Sequence, residues 1–390
     1  MIDCPKIELG QLTTTINGLW TGKKPPFKTV AVIRNTNFSK DCRLNMEDVA
    51  LIDVEERQFA TRKLQVGDII IEKSGGSDKQ PVGRPVIFNI PDGDYSFSNF
   101  TSVLRVNDTS RVLPEYLQRF LYKFYLTGKT AEMQSKTTGL RNLDFNTYKK
   151  ILVPIPSIDK QKHIVDELDS IVAIIEQKDS QLLDLDALIR SVYEEMFGPS
   201  SFGFDSWETR SIRDVCTLKS GNSDANNSQS GDLPYVKVGD MNIKGNERYI
   251  TTSSKFVDRK SNLKGIFPIG TTIFPKRGGA IYTNKKRLTT VEICCDLNTM
   301  GVIPDKDIIH PYYLYQYFLN LDLGSLCNGA AIPQLNNCDI GPLMIRIPPM
   351  ERQIRFASIF DSIEAQRRLI EGTIHDFETL FNSRMDYWFN

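Results

Sequence analysis

The chain has 390 residues, 40% apolar and 25% charged, and its 48 basic and 48 acidic side chains cancel. Such a composition excludes a disordered, collagen-like or disulfide-stapled chain, and the length suggests two or three domains. No apolar run approaches a membrane span, Met1-Ile2-Asp3-Cys4-Pro5-Lys6 lacks a signal-peptide pattern, and seven scattered cysteines with three distant histidines form no metal-binding spacing, so a cytoplasmic protein without a metal site is expected.

The first globule is expected over residues 1–156. β-rich runs, such as Thr29–Ile33 and Asp68–Ile71, sit between turn signals. Polar residues follow each run: Arg34, Asn35 and Asn37 after the first, and the Gly-rich loop Lys73, Ser74, Gly75, Gly76, Ser77, Asp78, Lys79 and Gln80 after the second. A helix beginning at Pro114 and running to about Tyr125 carries Leu117, Phe120, Leu121 and Phe124 on one face, which reads as a core contact.

Residues 157–198 are expected to form one long helix. Ile164, Leu168, Ile171, Ile175, Lys178, Leu182, Leu185, Ile189, Val192 and Met196 recur at alternating steps of four and three. A sustained 3.5 period is a coiled-coil seam, since a globular face drifts to 3.6. About 40 residues at ~1.5 Å each make a rod of roughly 60 Å.

The second globule, residues 199–348, repeats the plan of the first. It has runs at Pro234–Val238 and Thr271–Phe274, a polar loop over Ser220–Gly231 and a helix from Pro311 to about Leu321. Its polar candidates are Lys237, Asp240 and Asn242, the loop Lys276, Arg277, Gly278 and Gly279, and the triplet Lys285, Lys286 and Arg287. Residues 349–390 form the second long helix, with Phe356, Phe360, Ile363, Arg367, Ile370, Ile374, Phe377, Phe381, Arg384 and Trp388 in the same spacing.

The repeat is explicit. Val66–Gly76 recurs as Ile269–Gly279, Leu113–Leu117 as His310–Leu314, and 155–197 aligns without a gap to 347–389, with 11 of 43 positions identical. The expected architecture is therefore mixed α/β (α+β): two similar globules joined by two long antiparallel coiled-coil helices, with a pseudo-two-fold internal repeat. Antiparallel pairing follows because 198–206 is too short to return along the rod. It brings Lys178 and Arg367 near mid-rod, where Glu176, Asp179, Glu364 and Glu371 could neutralise them as a register-fixing polar layer.

Charge divides along the same lines. Residues 1–156 carry 22 basic and 17 acidic groups and 199–348 carry 17 and 14, whereas 157–198 carry 4 and 10 and 349–390 carry 5 and 7. Polyanion binding is thus expected of the globules. Two related globules on a stiff spacer suggest a ruler, because one turn of B-DNA is ~34 Å. In this reading the short polar and basic side chains after the strands read bases or touch phosphate, and the glycines allow close backbone approach. Catalytic signatures are lacking: Gly128-Lys129-Thr130 is no phosphate-binding loop, because Lys123 stands where its first glycine must be. His163 and Arg355 occupy matching helix positions, which argues against a proton-transfer role for the histidine.

These features together resemble the DNA-specificity (S) subunits of type I restriction–modification enzymes. The resemblance rests on the repeated globule–helix order, on Leu152-Val153-Pro154-Ile155-Pro156 leading to Gln161, on Ile345-Arg346-Ile347-Pro348-Pro349 leading to Glu351-Arg352-Gln353, on the opening Trp207–Val215, and on Pro234–Asn242. It implies two target recognition domains, each reading half of a bipartite asymmetric site in double-stranded DNA. The helices would act as spacer and as docking surface for two methyltransferase (M) subunits, with restriction (R) subunits joining through the complex. The chain itself would bind no cofactor and catalyse nothing; S-adenosylmethionine would sit on the M subunits, and ATP and Mg on the R subunits. A specificity subunit serving a solitary methyltransferase, and a coiled-coil scaffold binding proteins only, remain open alternatives.

Overall fold

The computed structural model describes residues 4–20, 22, 24–77, 80–137, 140–222, 231–260, 265–327 and 332–390. Asp78, Lys79 and residues 223–230 of the polar loop, all singled out above, lie outside them. Two compact units form, Met1–Lys178 with Thr373–Asn390, and Asp179–Gly372. Each takes one globule and a part of both long helices.

In the first unit a four-stranded antiparallel sheet has the order Thr13–Asn17, Thr101–Val106, Asp68–Glu72, Pro85–Phe88. The central strand is buried along its whole length, which explains why Ile69, Ile70 and Ile71 are consecutive rather than alternating with polar residues. Its two end carboxylates are paired, Asp68 with Arg105 at 2.7 Å and Glu72 with Arg84 at 2.7 Å, as burial of charge requires. A smaller sheet orders Ala50–Glu55, Phe27–Ile33 and Tyr95–Phe97, the last pair parallel.

The second unit repeats this. Cys216–Ser220, Thr299–Pro304 and Thr272–Pro275 take the places of the first three strands, and the sheet continues into Arg287–Thr289 and Tyr249–Ile250. The smaller sheet is Phe256–Val257, Leu233–Val236 and Cys294–Cys295, again with a parallel last pair. Equivalent glycines turn into the central strands: Gly67 at φ +90° and Gly270 at φ +89°. A Cβ there would also press on Pro114 or Pro311, the first residues of the helices Pro114–Leu126 and Pro311–Leu319.

A two-stranded ribbon closes each globule, Lys6–Glu8 with Leu152–Pro154 and Glu208–Ser211 with Met344–Ile347. The chain then enters the helices Ile158–Phe197 and Met350–Phe389, 40 residues each. Within the first unit Ile164, Leu168 and Ile171 share a core with Phe381, Met385 and Trp388. Within the second, Leu185, Ile189, Tyr193 and Phe197 share one with Phe356, Phe360 and Ile363. Lys160 lies over Trp388 and Glu167 pairs with Arg384 in the first unit, and Asp186 pairs with Arg367 and Tyr193 meets Phe356 in the second, so within each unit the helix segments run antiparallel. No seam position of either helix is exposed; Ile175, Lys178, Leu182, Val192, Ile370, Ile374 and Phe377 are half-buried.

The polar layer matches expectation in the pairing of Arg367 with Glu364 and differs in its other partners. Arg367 is buried, but it bonds Asp186 (2.5 Å) and Glu364 (3.2 Å), joined by Arg248 of the globule, 3.4 Å from Glu364. Glu176 instead reaches out to Arg43 of the first globule. Asp186, outside the expected set, enters because the helix segments pair with it across the seam from Arg367. Among the described residues no helix is long and apolar enough to cross a membrane and no His, Cys, Asp or Glu cluster suits a metal.

Candidate nucleic-acid interface

At one edge of each globule three strand ends converge. In the first unit they are Asn17, Lys73 and Ile33–Arg34, gathered round the turn Ser98–Phe100. Ser98 N donates to Ile33 O (2.9 Å), Lys73 N to Phe100 O (2.8 Å), and Lys73 Nζ lies 3.4 Å from Asn17 Oδ1. In the second unit Asp296 N donates to Val236 O (3.1 Å), Lys276 N to Asn298 O (2.8 Å), and Lys276 Nζ to Ser220 Oγ (2.8 Å). The two constellations match bond for bond, so Lys73 corresponds to Lys276, Asn17 to Ser220 and Arg34 to Lys237.

Glycines make the convergence possible. A Cβ on Gly18 would stand 1.9 Å from Ser98 O, and one on Gly221 2.0 Å from Asp296 O. These crossing glycines, with Asn17, Ser220, Phe100 and Asn298, were not identified from sequence. The pairing of Asn17-Gly18 with Ser220-Gly221 was the available signal, but it is short and lies outside the blocks where the repeat is strong.

Burial pushes both lysine ammonium groups below the usual lysine range, helped at Lys276 by neighbouring Arg277. Each ammonium group meets a neutral oxygen, Asn17 Oδ1 or Ser220 Oγ, so an approaching phosphate would supply a counter-charge. The loops beside them are open. Gly75 (φ +102°) is exposed, and Gly278 and Gly279 have space where a Cβ would stand. Asn35 donates weakly to Ser74 O (3.4 Å), Ser74 Oγ to Asn142 (2.5 Å), and Ser77 and Gln80 close a turn on each other. Gly76 is buried in that strand, while Arg277 is exposed.

Several expected base readers serve the fold instead. Asn37 is buried: its Oδ1 caps the turn after the strand by accepting from Arg34 N (2.9 Å), and its Nδ2 donates to Asp48 O (2.9 Å). Asp240 does the same work in the second unit, accepting from Lys237 N (2.7 Å). Burial pushes its carboxyl up, but bonds from Ser254, Lys237 and Ser253 outweigh this and hold it below the usual range. The triplet also divides. Lys286 is buried on Leu321 O (2.5 Å) and Asn284 Oδ1 (2.8 Å), and Arg287 bonds Asn246 O and Met241 O. Only Lys285 faces outward, where it meets exposed Asn242. Lys276, although buried, stays within the strand-end constellation. The exposed polar groups are thus Thr36, Ser77, Lys237, Asn242 and Arg277, with Asn35 and Lys285 half-buried and Arg34 half-covered by Asp48.

Comparison with known proteins gives concordant matches. A family model described as the type I restriction modification DNA specificity domain matches twice, at residues 12–184 and 205–378. A putative type I restriction enzyme MjaX specificity subunit of Methanocaldococcus jannaschii is 19% identical, over 93% of this chain and 88% of its own. The StySPI specificity subunit of Salmonella potsdam is 22% identical, over 83% and 73%. Among solved structures, a chain from work on complex assembly and conformational transition of the type I R-M system superposes with a TM-score of 0.59 at 16% identity, covering 100% of this chain and 99% of that one. The S subunit from M. genitalium gives 0.53 at 12% identity, covering 99% and 96%.

Proposed function

Since the chain belongs to the type I restriction modification DNA specificity family, we propose that each globule reads one half of a bipartite, asymmetric site in double-stranded DNA for a type I restriction–modification complex. The observation that carries this reading is the matched strand-end constellation, built twice with the same lysine and crossing glycine but with different outward side chains. A shared backbone frame gives both globules one docking mode on phosphate; the divergent side chains give each its own bases.

The two long helices act as an antiparallel coiled-coil spacer that sets the distance between half-sites, and they dock two methyltransferase subunits. Restriction subunits join through that complex. Catalysis and cofactors then belong to the partners: S-adenosylmethionine to the methyltransferase, ATP and Mg to the restriction subunit. This chain, in the cytoplasm, supplies recognition.

The test is methylation mapping in the host. A split adenine-containing motif is expected that vanishes with the gene. When residues 1–156 are replaced by the globule of another family member, one half of the motif changes and the other is retained. Loss of both halves from a folded, assembled complex would refute separate readers.

A further inference from the structure

In the first unit a groove of about 540 Å³ lies between the helix Pro114–Leu126, the end of the second long helix and the ribbon of Lys6–Glu8 with Leu152–Pro154. Phe120, Phe124 and Phe389 contribute an apolar floor. Lys6, Lys123, Lys129 and Lys150 stand round it, and no aspartate or glutamate is among the lining residues. Lys123 pairs with Asp386 outside the groove, and Lys129 Nζ lies 5.6 Å from the Phe124 ring centre.

The second unit shows what such a place accepts. Under the repeat, the strand pair Lys6–Pro154 corresponds to Thr209–Arg346. There Arg346 holds the dipeptide Phe204-Asp205. Its guanidinium sits 3.9 Å from the Phe204 ring centre, donates to Phe204 O (2.7 Å) and lies 3.9 Å from the Asp205 carboxylate. One ribbon-edge cation thus grips a ring, its carbonyl and the next carboxylate.

We propose that the first unit's groove docks an extended segment of a partner polypeptide in which an aromatic residue is followed by a carboxylate. The ring lies on the floor and the carboxylate among Lys6, Lys129 and Lys150, since Lys123 already has Asp386 and no aspartate or glutamate lines the groove. The inference does not depend on the DNA-reading assignment, because it concerns a different face and a different ligand.

The probe is a fluorescently labelled peptide with the sequence of Ser201–Ser206, SFGFDS, titrated against the full chain by anisotropy. Saturable binding with a Kd below about 1 mM is expected. Lys6→Glu with Lys150→Glu should weaken it about tenfold or more, as reversal of two rim charges does. A peptide carrying alanine for Phe204 and lysine for Asp205 should not bind. Lys150→Glu alone, at an exposed side chain, serves if the double variant melts earlier than the parent. Absence of saturation, equal binding to a folded lysine variant, or binding that emerges only after removal of residues 1–3 would overturn the proposal; the last result would make the chain's own amino-terminal segment the occupant.

Discussion

Gln161 and Gln353 show how much one buried side chain holds in place. Gln161 accepts from Leu113 N (2.9 Å) and donates to Arg111 O (3.0 Å) and Pro156 O (2.9 Å). Gln353 accepts from His310 N (2.7 Å) and donates to Ile308 O (3.1 Å) and Pro348 O (2.9 Å). Each clamps the start of a long helix to the start of its globule's helix. Gln161→Leu strands three backbone groups, and a loss of about 2–4 kcal/mol is expected by urea unfolding; a loss under half a kcal/mol would mean water replaces the amide. Both glutamines were legible in the sequence as positions in the repeated motif, but their role was not, since the partners lie 48 and 43 residues away. Asn37 and Asp240 were misread for the related reason that short polar side chains bond equally well to nearby backbone or to bases, and sequence does not distinguish the two. Lys286 offers a pH test. Burial lowers its pKa from 10.5 to about 8, so between those values the unfolded chain keeps a proton that the folded chain has released. Stability from this group therefore rises with pH across that window. Compared with Lys286→Met, the parent should gain up to about 3 kcal/mol between pH 7 and 10.5 in urea titrations. A pH-independent difference would contradict the burial.

At the scale of elements, the long helices were the most legible part of the chain. An alternation of four and three over forty residues leaves one stripe that must be covered, and none of its positions is exposed: Arg367 is buried and Lys178 half-buried. Their charge partners were less legible, because a globule side chain can compete with a helix neighbour: Arg248 enters the Asp186, Glu364 and Arg367 cluster, and Arg43 takes Glu176. The position of each pair decides its energy. Glu364 is buried, so Glu364→Leu leaves two arginines sharing Asp186 and should destabilise by about 3–5 kcal/mol; adding Arg248→Met should recover part of this by removing the stranded charge. Arg384 and Glu167 pair at a more open position, where Trp388 also donates to Glu167 (3.2 Å), and Arg384→Ala should cost much less than Glu364→Leu. Urea midpoints for the three variants check the order. Equal losses at Glu364 and Arg384 would show that burial does not separate the two layers. The shortest strands were least legible: Cys294–Cys295, Phe256–Val257 and Tyr249–Ile250 are two residues long, too short for alternation to show.

For the whole molecule, the contact units cut both helices, at Lys178 and at Gly372, so each helix belongs to both halves of the repeat. A change in helix length must then be made in both helices to keep the seams paired. Removing matched heptads, residues 175–181 and 371–377, retains the 3.5 period and shortens the spacer by about 10 Å at ~1.5 Å per residue. On duplex DNA that is about three base pairs at ~3.4 Å each. Three base pairs also rotate one half-site about 100° against the other, given 10–10.5 per turn, whereas a heptad returns the helices to nearly the same face. Length and rotation therefore conflict. The expected result in host methylation mapping is a motif with both halves unchanged, a gap about three base pairs shorter and incomplete methylation, because DNA twist must absorb the mismatch. Removing a heptad from one helix alone misaligns the seams and should lower the melting temperature instead. A complex with both heptads removed that still methylates the original gap fully would show that half-site spacing is set outside these helices.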